Sequence, residues 1–86
     1  MAAAMGSITF VNESKFAASV YRGDTLVIDL APGQSSKQDT AAGQVWIIKD
    51  RDTGRQVGTV TGTDGDQTYK IKFGRGRGEP TQSGGG

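Results

Sequence analysis

At 86 residues, with 34% hydrophobic side chains, 14 glycines and a net charge of +1, the chain is long enough for one domain and too short for a core plus a deep catalytic cavity. It has no His and no Cys, which excludes the commonest general base, the commonest metal ligand, a thiol nucleophile and any disulfide or zinc-thiolate staple. A cysteine-free chain favours a reducing compartment such as the cytoplasm. The opening Met1 to Ser7 lacks the basic start and apolar length of a secretory signal, and no run reaches the length of a membrane span, so a soluble protein with no membrane partner is expected.

Short apolar runs recur along the chain, each ended by Gly, Asn, Asp or Pro. In residues 7–12, Ile8 and Phe10 alternate with Thr9 and Val11, the period-two pattern of a first strand, closed by Asn12-Glu13-Ser14. Residues 17–21 and 25–30 flank Arg22-Gly23-Asp24 and read as a hairpin, with Leu26, Ile28 and Leu30 as its inward row. Ala31-Pro32-Gly33 predicts a type II turn, because Pro fixes one φ and Gly supplies the positive φ required next. Residues 35–40 are polar throughout and predict a weak edge strand. Residues 44–50 hold the strongest apolar run, Val45-Trp46-Ile47-Ile48, which predicts a central strand covered on both faces. Residues 56–61 and 67–73 follow, separated by Gly62-Thr63-Asp64-Gly65-Asp66. In the last strand Tyr69, Ile71 and Phe73 face inward while Lys70 and Lys72 stay in water.

No stretch has helical period and no internal repeat is present. The fold class is therefore all-β: a small, seven-stranded antiparallel β-sandwich over residues 7–73, preceded by a short extension over 1–6. From Gly74 the chain has no apolar residue, so a flexible Gly/Arg-rich C-terminal tail is expected over 74–86. The basic residues collect at this end: residues 70–86 carry 4 Lys/Arg against 1 acidic residue, and residues 1–69 carry 6 against 8.

Few residues invite chemistry. Trp46 reads as a core anchor, with the floor of a ligand groove as its functional alternative. Asp50-x-Asp52-x-Gly54 and Asp64-Gly65-Asp66 superficially resemble calcium loops, but Thr61 stands where an EF-hand needs Glu, so turn formation accounts for these aspartates. No nucleophile elbow, P-loop or other spaced catalytic signature occurs, so no cofactor, metal or catalytic residue is expected; an enzyme acting through Asp50, Asp52 or Asp64 is the residual alternative. Lys70, Lys72, Arg75 and Arg77 run into a Gly-Arg repeat of the kind that binds phosphate by charge and stacks on bases, which makes nucleic-acid binding the competing functional class.

Three segments resemble the β domain of the von Hippel-Lindau tumour suppressor family: Ile8-Thr-Phe-Val-Asn12-Glu-Ser14, Leu30-Ala-Pro-Gly33, and Gly43-Gln-Val-Trp46-Ile-Ile-Lys-Asp50 leading to Thr53-Gly54. The resemblance spans residues 7–73 and implies a seven-stranded sandwich acting as a non-enzymatic recognition module. It places the family's hydroxyproline-peptide pocket around Val27, Thr40, Ala41, Gln44 and Trp46. Of these only Thr40 and Trp46 match the pocket in type, since its aromatic positions fall on Val27 and Ala41 and its histidine position on Gln44. The functional expectation is a binding module for a peptide or protein partner, received near the central strand and the polar edge, with Thr40, Gln44 and Trp46 as candidate contacts.

Overall fold

A computed structural model describes residues 5–75. Its seven strands are β1 (Met5–Asn12), β2 (Ala18–Arg22), β3 (Thr25–Leu30), β4 (Ser35–Ala41), β5 (Val45–Asp50), β6 (Gln56–Thr61) and β7 (Asp66–Ile71). They form a three-stranded sheet of order β4-β1-β7 and a four-stranded sheet of order β3-β2-β5-β6. The all-β two-sheet architecture expected from the alternating runs is present. Every pairing is antiparallel except β1 with β7, which run parallel. That exception follows from the topology, since the first and last strands lie side by side and the chain crosses between the sheets before it returns.

The core lies between the sheets. Ile8 and Phe10 of β1 and Ile71 of β7 meet Ala18, Val20, Leu30, Trp46 and Ile48 of the opposite sheet, all of them buried. Phe10 joins the layers: its ring lies 5.4 Å from Trp46 and 6.3 Å from Tyr69, centroid to centroid. Tilted aromatic pairs of this kind contribute about 0.5–1.5 kcal/mol beyond the area they bury.

Polar side chains close the end of the core. Asn12, on the same face as Ile8 and Phe10, is fully buried and fully bonded. Its Nδ2 donates to the carbonyls of Phe16 at 2.8 Å and Leu30 at 2.9 Å, and its Oδ1 accepts from the Ser14 amide at 3.0 Å and the Ser14 hydroxyl at 2.6 Å. Its main chain receives the Gly33 N–H and donates to the Gln34 carbonyl. Asn12 thus ties β1 to the end of β3 and the Ser14–Phe16 loop through its side chain, and to the Ala31–Gln34 turn through its main chain. In that turn Gly33 has φ +84° and the Gln34 N–H reaches the Ala31 carbonyl at 3.0 Å, as a type II turn requires.

Several local expectations are corrected. The inward row on β3 breaks at Leu26, which is 50% exposed. A β-bulge inserts Val27 between the pairs Val20↔Ile28 and Tyr21↔Leu26, so Leu26 is carried with Tyr21 to the outer face. Strand β5 is interior to its sheet, yet only its inner face, with Trp46, Ile48 and Asp50, is covered; Val45 on the outer face is exposed and Ile47 half-buried. Strand β1 begins at Met5, ahead of the expected start at Ser7, and β7 ends at Ile71, with Phe73 packing beyond the strand at 6.0 Å from Phe16. Of the expected tail, Gly74 and Arg75 are held to the body, and residues 76–86 lie outside the described residues.

Candidate functional site: the free edge of β4

Each sheet has two edges, and they differ in what they offer. The edges of the four-stranded sheet are irregular: β3 carries the Val27 bulge, and β6 carries a second bulge at Val57, between the pairs Ile48↔Gly58 and Lys49↔Gln56. Bulges of this kind disrupt the ladder and twist an edge away from new partners. The three-stranded sheet has regular edges: β7 pairs in parallel with β1 over six consecutive residues, and β4 pairs with β1 antiparallel over seven, from Met5↔Ala41 to Val11↔Ser35, without a shift. No described strand pairs with the other side of β4, which contains no Pro.

The register fixes which main-chain groups are free. The Asn12 N–H donates to Gln34 in the line of this ladder. Hydrogen bonding alternates along an antiparallel pair, so Ser36, Gln38 and Thr40 bond to β1 while the N–H and C=O groups of Ser35, Lys37 and Asp39 point away from it. The side chains of Ser35, Lys37 and Asp39 are exposed, and those of Ser36, Gln38 and Thr40 turn towards the interior. Neither Lys37 nor Asp39 has an ion-pair partner among the described residues.

Both ends of this edge are pinned. At its start stands the Asn12-bonded turn. At its end Thr40, 2% exposed, accepts the Trp46 Nε1–H at 2.8 Å and donates to the Ala41 carbonyl at 3.0 Å. The loop after β6 seals the same corner, with the Gly62 N–H donating to the Gln44 carbonyl at 2.8 Å and the Gly43 N–H to the Gly62 carbonyl at 2.9 Å. Gly62 is required by this close approach, because a Cβ there would collide with Thr40 Oγ1 and the Ala41 carbonyl.

Of the candidate contacts, Thr40 and Trp46 are therefore brought together, but inside the protein, where they brace the end of the edge. Gln44 is half-buried beside them, with its Nε2 donating to the Val45 carbonyl at 3.1 Å. Val27 lies in the β3 bulge and packs against the core. No continuous pocket of side chains from these positions is needed to present the β4 edge.

The basic candidates are engaged with acids. Lys72 and Lys70 share Glu13, at 3.6 and 4.0 Å. Arg75 turns inward: Nε donates to Asp50 Oδ2 at 2.7 Å, and Nη2 donates to Asp50 Oδ1 at 2.8 Å and to Asp52 Oδ2 at 3.0 Å. Its guanidinium also stacks 4.0 Å over Phe16. The hydrogen bonds from Arg75 hold the Asp50 carboxyl down to about 2 against the opposing effect of burial. Asp50 and Asp52, weighed as calcium or catalytic carboxylates, thus serve a guanidinium, and Asp64 is exposed in the β6–β7 turn. Arg77 lies outside the described residues.

Asp29 is the other perturbed carboxylate. The Ser19 hydroxyl, bonded at 2.6 Å, lowers its pKa; burial opposes the shift, and Arg51 at 3.2 Å assists it. It belongs to the outer face of the four-stranded sheet, where Lys49 also sits 4.7 Å from the Tyr21 ring.

Sequence reasoning missed two polar centres, Asp50–Arg75 and Asn12. Strand parity carried the signal for both. Asp50 shares a face with Trp46 and Ile48, and Asn12 shares one with Ile8 and Phe10, so each had to be buried and each needed partners. No protein-family model and no curated protein matches the chain significantly.

Proposed function

We propose that the chain is a non-enzymatic binding module that takes an extended peptide strand along the free edge of β4. The observation that carries this reading is the unbroken seven-residue register of β4 against β1, which leaves the donors and acceptors of Ser35, Lys37 and Asp39 in a regular outward row. Rigid ends support it, because an edge held by Asn12 on one side and by Thr40–Trp46 on the other does not have to be ordered when a partner arrives. The recognition role implied by the likeness to the von Hippel-Lindau β domain points the same way. In this reading Thr40 and Trp46 position the edge, and Gln44 flanks it.

The test uses proline as a deletion of one donor. The Lys37 N–H faces away from β1, so Lys37→Pro keeps the β1 ladder and removes the outward donor at the middle of the edge. Peptides selected on the full chain from a displayed random library should shift the amide resonances of Ser35, Lys37 and Asp39 and lose binding to the Lys37→Pro variant. Binders that ignore the substitution, or a selection that yields none, would overturn the proposal. Single-stranded RNA and DNA included in the same screen test the competing class, for which Lys70, Lys72 and Arg75 have fewer free charges than their spacing suggested.

A further inference from the structure

We infer that the strand best fitted to this edge is β4 of a second copy of the chain, running antiparallel about a two-fold axis centred on Gln38. The inference rests on the reading of β4 as a strand-accepting edge and names its partner.

Charge selects both the partner and the register. The segment Ser35-Ser36-Lys37-Gln38-Asp39-Thr40-Ala41 places one cation and one anion symmetrically about Gln38, on the same exposed face. Its outward main-chain groups are those of Ser35, Lys37 and Asp39, so a two-fold antiparallel partner can bond only where odd-numbered residues meet odd-numbered residues. Three such registers lie near the middle of the strand. Centred on Lys37, the two lysines oppose each other. Centred on Asp39, the two aspartates do.

Centred on Gln38, Lys37 of each copy stands opposite Asp39 of the other, and both contacts fall on hydrogen-bonded pairs. Unlike charges directly opposed stabilise a ladder and like charges destabilise it, so the sequence of β4 favours its own copy in one register and disfavours the neighbouring two. The result is an isologous contact in which two three-stranded sheets fuse into one of six strands. Both charged side chains lack internal partners among the described residues and are available for the contact.

Sedimentation equilibrium on the full chain tests this with four proteins. The wild type should dimerise reversibly, and Lys37→Asp and Asp39→Lys should each weaken the dimer about tenfold or more, because each replaces two attractive contacts by two repulsive ones. The double variant Lys37→Asp with Asp39→Lys has the wild-type net charge and reverses both partners of each pair, so it should recover dimerisation. An equimolar mixture of the two single variants should associate as well.

A wild type that stays monomeric, single variants that dimerise like the wild type, or a double variant that fails to recover would each overturn the inference. The near-ultraviolet circular dichroism of Trp46 verifies that each variant is folded, and Lys37→Gln, which removes a charge without reversing it, replaces any variant that is not. Selected peptides that still bind in a Lys37→Pro-sensitive manner to a monomeric wild type would sink the second-copy inference alone. Their absence would sink the binding-edge reading with it.

Discussion

Arg75 reaches back to the end of β5 and grips the buried Asp50 carboxylate by two bonds, Nε to Oδ2 at 2.7 Å and Nη2 to Oδ1 at 2.8 Å, so a residue of the expected tail neutralises a charge in the body. The fork-to-carboxylate geometry is the strong form of an ion pair, and Asp52 and the Phe16 ring hold the guanidinium from two further sides. Asp50 has its pKa lowered to about 2 by Arg75, whereas a carboxyl in an unfolded chain titrates near about 3.9. A depressed folded value contributes stability above the unfolded value, and that contribution is lost as pH falls through the folded one. Wild-type stability, read from urea midpoints, should therefore decline from about pH 4 to about pH 2. Arg75→Gln should be less stable at neutral pH and show a flattened slope in that window. An unchanged slope would mean that Asp50 draws its stabilisation elsewhere.

Asn12 holds three segments with one side chain. Asn12→Ala removes the partners of the Leu30 carbonyl and the Ser14 amide in a buried site, while the Ser14 hydroxyl keeps the Phe16 carbonyl at 2.8 Å, and should cost about 3 kcal/mol by chemical denaturation. Asn12→Asp should be comparably harmful at neutral pH, since it sets a carboxylate oxygen against two carbonyls. A loss below about 1 kcal/mol for the alanine variant would show that water replaces the lost bonds.

The Val27 bulge separates two leucines of one strand. Leu26→Thr should change stability by about 0.5 kcal/mol or less, because Leu26 lies outside the core on a strand that tolerates β-branched residues. Leu30→Ala should cost about 2–5 kcal/mol through transfer and cavity effects. Equal costs would contradict the register that the bulge imposes.

The corner formed by Gly62, Thr40 and Trp46 can be read by fluorescence, since Trp46 is the only tryptophan. Thr40→Val strands the indole N–H and should cost about 1–3 kcal/mol, whereas Thr40→Ser keeps the acceptor and should cost less. Gly62→Ala pushes on Thr40 Oγ1 and should destabilise by about 1–3 kcal/mol and shift the Trp46 emission. Gly62→Ala with unchanged emission would show that the loop yields in place of the threonine.

The strands and turns were legible because each rests on a local signal: period-two alternation in Ile8-Thr-Phe-Val, the Pro32-Gly33 turn, the polar run of β4. What was not legible depends on pairing. The outward turn of Leu26 follows from a one-residue insertion between partner strands, which no single strand reveals. The parallel neighbourhood of β1 and β7 is a property of the whole topology. Arg75 reads as part of the tail because its neighbours are glycines, while the reason for its docking, an inward-facing Asp50, lies 25 residues away. The same is true of the candidate site. A polar edge could be read from composition, but its straightness and its pinned ends required the register against β1.

Amide hydrogen exchange along β4 distinguishes a free, strand-accepting edge from one already paired within the protein. In dilute protein Ser36, Gln38 and Thr40, bonded to β1, should exchange slowly while Ser35, Lys37 and Asp39 exchange fast; on raising the protein concentration or adding a selected peptide, those three should become protected. Protection of all residues of β4 in dilute protein, or persistent fast exchange at Lys37 and Asp39 under every condition, would contradict a free, strand-accepting edge.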